Sequence, residues 1–352
     1  MNAQPTRVAV LAHDLFPHRA KTATGVLRYA DYDVAAVLDR SNPGTRASDH
    51  LPLPEGRDAP IVGSMADALS EGDIDALVVG IAPIGGGFDE SWRGDVERAL
   101  EAGLDVISGL HYFLAEDEEF AALAQEHGAT IHDVRKPHPD LTVSEGRASD
   151  VDADVVLTVG TDCSVGKMTV SLELVRAARE RGIDAGFIPT GQTGIMIAGW
   201  GNPIDRVVSD FTAGAVEEMI LEMGDTHDVL FVEGQGSIVH PAYSAVTCGI
   251  LHGAMPDAMV LCHVAGREAI HGYESTAIPD PETYVDLYEG LAAPVHPGEV
   301  VAGAVNTSSI DADAAAREAL DAFGARVGGP ATDPIRFDAD EVLEAVLTPG
   351  GR

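Results

Sequence analysis

Val155-Val156-Leu157-Thr158-Val159-Gly160-Thr161-Asp162-Cys163-Ser164-Val165-Gly166-Lys167-Met168-Thr169 decides how this chain is read. An apolar, β-branched run enters a glycine-bounded loop, and an amphipathic stretch carrying Leu172, Leu174 and Val175 leaves it. Strand, loop and helix in that order bring backbone amides, a helix N-terminus and one ammonium to a common point, as a phosphate requires. The chain has only three lysines, Lys21, Lys136 and Lys167, so a lysine kept in this loop is informative.

The loop departs from the usual GxxxxGK[ST] pattern twice. Five residues separate Gly160 from Gly166, and Met168 stands between Lys167 and Thr169. The hydroxyl that normally follows the lysine ligates Mg²⁺; Thr169 lies one residue later, about 100° around a helix. The expectation is an anion held by Gly160, Thr161, Asp162, Cys163, Ser164, Val165, Gly166, Lys167, Met168 and Thr169. A phosphate-bearing carrier such as coenzyme A suits such a loop better than ATP, whose transfer chemistry depends on bound metal. Asp162 reads either as a polar contact to substrate or metal or as a turn-stabilising residue. Cys163 neighbours a helix N-terminus that favours a thiolate, but no histidine adjoins it in sequence, and a covalent role is not expected.

Working outward, strand-like and helix-like segments alternate. Short β-branched runs at 8–11, 34–38, 76–81, 105–108 and 129–132 are interleaved with helical patterns at 64–69 and 94–102. Such alternation predicts a mainly parallel sheet covered by helices on both faces. The turn after the first run, Ala12-His13-Asp14-Leu15-Phe16-Pro17, lacks the glycines of a dinucleotide fingerprint. Asp39, although placed where a ribose-binding acid would stand, therefore carries no NAD reading. The Gly80–Gly87 cluster is either a ligand-facing loop or a flexible turn. A stretch rich in Pro, Asp, Ser and Gly then forms a linker at 141–153 between domains at 1–140 and 154–352. The second domain continues with strands at 155–159, 186–189, 229–232, 258–264, 300–305 and near 335–337, and helices at 167–181, 213–223 and 312–323. The expected fold class is α/β, an N-terminal Rossmann-like domain followed by a P-loop NTPase-like parallel-sheet domain.

Composition limits the partners. The formal charge is −35, from 57 acidic against 22 basic residues, with 45% hydrophobic residues and so ample core. Neither nucleic acid nor an anionic membrane would attract such a chain. Few lysines and many acids suggest a high-salt proteome, where charges are screened within about 3 Å at 1 M; an acidic mesophilic protein is the alternative. Cys163, Cys248 and Cys262 show no CxxC spacing, and no apolar run approaches a membrane span. A cytoplasmic protein follows, with a homo-oligomer expected on general grounds. No HExxH or Cys/His cluster at zinc spacing occurs, so no metal is expected; Cys262-His263 read as core.

Three further stretches bear on chemistry. Asp228-Val229-Leu230-Phe231-Val232-Glu233-Gly234-Gln235-Gly236-Ser237 is a strand ending in an acid and a glycine turn. Glu233 is the leading general base, and His240 and Ser244 follow closely enough to share its pocket. Pro189-Thr190-Gly191-Gln192-Thr193-Gly194 suits a loop touching a polar substrate. Gln192, Thr193, Gln235 and Ser237 are thus substrate-binding candidates, with Arg206 or Arg267 to grip a carboxylate; either arginine could equally form a surface ion pair. Asn306-Thr307-Ser308-Ser309 is a weak candidate for base contacts.

The combination of 160–169, Thr190-Gly-Gln-Thr-Gly194, Val232-Glu-Gly-Gln-Gly-Ser237 and Ser108-Gly-Leu-His111 resembles a two-domain P-loop family long known only as a domain of unknown function. Its characterised bacterial members are D-glutamate N-acetyltransferases. The resemblance extends over nearly the whole chain, including Lys21 and Arg135-Lys136-Pro137. It implies an acetyl-CoA-dependent N-acetyltransferase acting on D-glutamate, the first step of D-glutamate breakdown via N-acetyl-D-glutamate. Two rivals remain open: a Mg-ATP-dependent ligase or kinase of the dethiobiotin synthetase type, whose loop has a similar form, and a non-catalytic nucleotide-binding regulator.

Overall fold

The structure, a computed structural model, describes residues 7–83 and 86–348. The chain divides into two compact units: residues up to Pro137 together with Gln192–Pro203, and His138–Gly191 together with the residues from Ile204 onward. A single boundary is what the sequence suggests. The chain instead returns to the first unit for twelve residues, because Met196 and Ile197 of the helix Gln192–Ala198 bury themselves in the first core.

In the first unit, β1 (Arg7–Leu11), β2 (Asp33–Leu38), β3 (Ile61–Val62), β4 (Ala76–Val79), β5 (Asp105–Ser108) and β6 (Ile131–Asp133) form one sheet in the order β3-β2-β1-β4-β5-β6. All its pairs are parallel, and this is the strand order of a doubly wound Rossmann-like sheet. The short valine- and alanine-rich runs of β1 and β4 are buried almost throughout, as strands covered on both faces must be. The helix Lys21–Tyr29, not read from the sequence, buries Thr22, Ala23, Gly25, Val26 and Leu27.

The second unit holds β7 (Asp154–Gly160), β8 (Ala185–Ile188), β9 (Val229–Val232), β10 (Ala258–Val264), the small antiparallel hairpin β11 (Ala269–Ile270) and β12 (Tyr273–Ala277), β13 (Glu299–Asn306) and β14 (Ala331–Thr332). Its main sheet is parallel with the order β14-β13-β10-β7-β9-β8. From β7 the chain runs to the β8 edge, returns to β9 beside β7, and then crosses to β10 on the other side. The strand order reverses at β7, so the crevice at its C-terminal end is where an open α/β sheet binds ligands. The strand expected near 335–337 is a turn instead: Asp333 accepts the amides of Ile335, Arg336 and Phe337 through its side chain and carbonyl, and the last strand lies earlier, at β14.

The segment read as a linker is fastened to its own unit. Glu217 on the buried face of the helix Thr212–Met223 accepts the amides of Glu145 (2.6 Å) and Arg147 (2.5 Å) and the Ser144 hydroxyl (2.9 Å). Burial raises the Glu217 pKa, but these hydrogen bonds outweigh it and hold the group below its ordinary value. A carboxyl with a depressed folded pKa contributes stability above its unfolded value, and that stability is lost as pH falls through the folded value. Glu217→Gln should lower stability by about 2 kcal/mol at pH 7. In paired denaturant titrations the gap between variant and parent should stay constant above about pH 5 and narrow from there toward about pH 3; a gap independent of pH over that range would contradict the assignment.

Candidate functional site

At the end of β7 the chain must turn sharply into the helix Lys167–Glu180. Gly166 caps that helix at φ 101°, a conformation that L side chains rarely adopt, and Ser164 also lies in the left-handed region at φ 53°. Neighbouring loops close the space. Gly234, after β9, passes so near β7 that a Cβ would stand 1.8 Å from the Thr158 carbonyl. The Thr158 hydroxyl contacts the Ser171 hydroxyl (3.0 Å) and accepts the Gly234 amide (3.2 Å), tying strand, helix and turn together.

Asp162 is fully buried at the loop tip. Its Oδ1 accepts the Cys163 amide (2.7 Å), and its Oδ2 accepts Arg267 Nη1 (3.0 Å) and the His271 amide (2.8 Å). Arg267 Nη1 also donates to the Cys163 carbonyl (2.9 Å). Lys167 Nζ, nearly buried, donates to the carbonyls of Asp162 and Gly236, both at 2.8 Å. Four consecutive loop carbonyls are therefore held by side chains: Gly160 by the Tyr288 hydroxyl (2.8 Å), Thr161 by that of Tyr284 (2.6 Å), Asp162 by Lys167 and Cys163 by Arg267. Among the described residues no group accepts from the amides of Asp162, Ser164, Val165 or Gly166. The result is a run of amide donors with Lys167 and Arg267 beside it, groups that suit an anion.

Glu233, at the end of β9, is buried; its Oε2 accepts the amides of Thr190 (3.2 Å) and Gly191 (3.1 Å). A side chain at position 191 would meet Glu233 Oε1 at 3.2 Å, tighter than an ordinary contact. The Thr190 hydroxyl donates to the Glu233 carbonyl (2.6 Å), and Gln235 Nε2 donates to the Thr190 carbonyl (2.6 Å). Ser237 Oγ is buried beside the two tyrosine hydroxyls without a well-directed hydrogen bond.

His240 is buried with its ring stacked on Tyr243 and edge-on to Tyr273. Its Nδ1 accepts the Ala242 amide (3.1 Å), which assigns the proton of the neutral ring to Nε2. That nitrogen faces Cys163 Sγ (3.7 Å) and Asp162 Oδ1 (3.9 Å). Burial lowers the His240 pKa against the attraction of Asp162, so the ring stays neutral and acts as a donor. Burial and the Asp162 charge together raise the Cys163 pKa, leaving a thiol. Asp162, Cys163 and His240 offer one ligand atom each within 4.8 Å, close enough for a metal ion. Asp162 already accepts three hydrogen bonds, and a metal on His240 Nε2 would require a proton on Nδ1, facing the Ala242 amide.

Loop, Glu233, Gln235, Ser237, His240 and Arg267 are thus brought together in the second unit. Arg206 is an exposed residue at the end of the turn Ile204–Arg206, whose Ile204 is buried. Gln192 and Thr193 belong to the first unit, where the Thr193 and Thr22 hydroxyls are 2.8 Å apart and the Gln192 side chain packs over Gly109. Ile84 and Gly85 of the glycine cluster lie outside the described residues. Asp39 spends its carboxylate on the Asp14 amide (2.7 Å) and the Asn42 side chain (2.6 Å), consistent with a turn anchor. In the 306–309 stretch, Thr307 donates its amide and hydroxyl to Asp333.

Sequence reasoning missed Tyr284, Tyr288, His271 and His263. The tyrosines stand four apart on the helix Pro281–Ala292, a spacing that could have marked one buried face. His263 reads as core, yet its Nδ1 contacts the Thr161 hydroxyl at 2.8 Å and its ring stacks on Phe323. Burial first, then repulsion from Arg267, lowers its pKa to about 4. Its ring resonances should not titrate between pH 5.5 and 8 by NMR; a midpoint near the ordinary histidine value would contradict this environment.

Residues 142–343 match the domain of unknown function described as the DUF1611_C P-loop domain, and residues 40–137 match the DUF1611_N Rossmann-like domain. A crystal structure of a DUF1611 family protein from Anabaena variabilis is similar, with a TM-score of 0.91 and 40% identity over 97% of this chain and 99% of that one. A protein of Pseudoalteromonas sp named D-glutamate N-acetyltransferase is 39% identical over 76% of this chain and 80% of its own length. One of the same name from Tritonibacter scottomollicae is 38% identical over 77% and 80%.

Proposed function

The chain belongs to the DUF1611 family, and we propose that it is a D-glutamate N-acetyltransferase using acetyl-CoA as acetyl donor. The observation that carries the donor assignment is the donor-lined loop at 160–167 without a metal-binding hydroxyl after its lysine. Met168 is buried there, and Thr169 is the next hydroxyl along. Unpaired amides and Lys167 suit the carrier's pyrophosphate directly, whereas ATP transfer would call for Mg²⁺ at that position. Calorimetry should accordingly show coenzyme A binding unchanged by a chelator; tight binding only of MgATP would favour the ligase or kinase reading.

In the reaction the substrate nitrogen forms a bond to the acetyl carbonyl carbon and the carbon–sulfur bond breaks. Two protons leave the ammonium nitrogen; one ends on the coenzyme A sulfur and the other passes to solvent through the base. Glu233 is the base, because its position is fixed by two amides, while His240 holds its Nε2 proton and orients the loop tip. Arg267 adds positive charge for a substrate carboxylate, and amides of the Gly234–Gly236 turn would face the developing oxyanion. The carrier's arm is about as long as four to five extended residues, roughly 15 Å. With the phosphates at the loop, the thioester reaches Glu233 only when that arm folds back.

The acid-rich surface fits a high-salt cytoplasm, and no described helix is long and apolar enough to cross a membrane. A symmetric homo-oligomer is the expected assembly. Protein mixed with acetyl-CoA and D-glutamate in high salt should release free thiol; no release with either glutamate enantiomer would refute the activity. Glu233→Gln should lower kcat by roughly 10²–10⁴. An unchanged kcat would place the chemistry at the far end of an extended arm, away from this carboxylate.

A further inference from the structure

We propose that Tyr284 and Tyr288 are positioning residues of the phosphate loop, Tyr284 aiming the Asp162 amide toward the carrier's phosphates and Tyr288 anchoring the loop's first residue, whose neighbouring Thr161 amide is donated to the Cys262 carbonyl (3.0 Å), an inference that rests on the donor reading above. The peptide unit is planar and trans, so fixing the carbonyl of one residue fixes the direction of the next amide. Tyr284 holds the Thr161 carbonyl at 2.6 Å and so aims the Asp162 amide, which has no acceptor among the described residues. Tyr288 holds the Gly160 carbonyl at 2.8 Å, and its oxygen also accepts the Ile238 amide at 3.1 Å. One hydroxyl thus fixes the start of the phosphate loop to the turn after Glu233.

The same two loops are bridged by Lys167, through the carbonyls of Asp162 and Gly236. That bridge cannot be relied on during binding, because an arriving phosphate draws the ammonium toward itself. The tyrosine tethers are neutral, lie on a separate helix and do not compete for the anion. Burial first pushes both phenols up, Tyr288 to about 12, so they remain hydrogen-bond donors throughout the working pH range. Both side chains are fully buried, so a phenylalanine in either place keeps the ring's packing and removes the hydroxyl's hydrogen bonds: at 284 the tether alone, at 288 the tether and the acceptor of the Ile238 amide.

The test compares Tyr284→Phe and Tyr288→Phe with the parent in coenzyme A and inorganic pyrophosphate calorimetry, in KM for each substrate and in Tm. Each variant should bind both probes about tenfold more weakly and raise KM for acetyl-CoA by a similar factor, with KM for D-glutamate unchanged. A fall in Tm with probe affinities and acetyl-CoA KM within twofold of the parent would show packing alone and overturn the proposal. Should Tyr288→Phe fail to fold for want of its Ile238 contact, Tyr284→Phe decides the matter. A parent that binds pyrophosphate but not coenzyme A would refute the carrier reading while the tyrosines are still judged on pyrophosphate. A parent that binds neither refutes both.

Discussion

A carboxylate with no solvent exposure at the tip of a loop would be expensive to keep charged, and Asp162 shows what the surrounding structure must supply. It accepts hydrogen bonds from its own neighbour's amide, from a guanidinium on the loop after β10 and from an amide at the tip of the β11–β12 hairpin. Those three donors come from separate parts of the chain. The carboxylate can be buried only if the phosphate loop, the Arg267 loop and the hairpin occupy their places together. Lys167 reinforces the arrangement from the opposite side by holding the Asp162 carbonyl.

The strand order explains why these pieces can meet. β7 lies between β9 and β10, so its C-terminal loop has Glu233 on one side and Arg267 on the other without any long connection crossing the sheet. The next helix after the hairpin brings Tyr284 and Tyr288 back under the same loop. Protein groups hold the carbonyls of Gly160, Thr161, Asp162 and Cys163, so the loop's own backbone is organised by side chains of the second unit. Preorganised amides of this kind are effective because they need not reorient when the anion binds.

Much of this was legible in the sequence where a local rule operates. The β7 strand, the Gly160–Lys167 loop and the Glu233 turn are contiguous, and their glycines mark backbone conformations or close approaches that other residues cannot make. What stayed illegible depends on distant partners. The role of Tyr284 is a bond across 123 residues, and that of Arg267 one across 105. The Ile335-Arg336-Phe337 run has the residue types of a strand but lost to the hydrogen bonds of Asp333, a capping effect that periodicity does not register. The helix at Gln192 was hidden because its apolar residues serve the other unit's core, a destination that no local pattern encodes.

Under the proposed function, a chain with a net charge of −35 would have to take two anionic substrates, which poses an electrostatic problem. At long range the protein repels both, and only salt relieves it, since the Debye length contracts to about 3 Å at 1 M. Salt does not screen buried charges to the same degree, so the few cations placed beside the loop retain their pull where exposed ones would not. Lys167 is nearly buried, and Arg267 is held in register by Asp162 and the Cys163 carbonyl. High ionic strength would then silence the repulsive surface and leave the local attraction in place. Keeping one lysine at this loop while the surface carries so few is consistent with that division of labour, in which specificity rests on the short-range cations and amides and solubility on the acidic exterior.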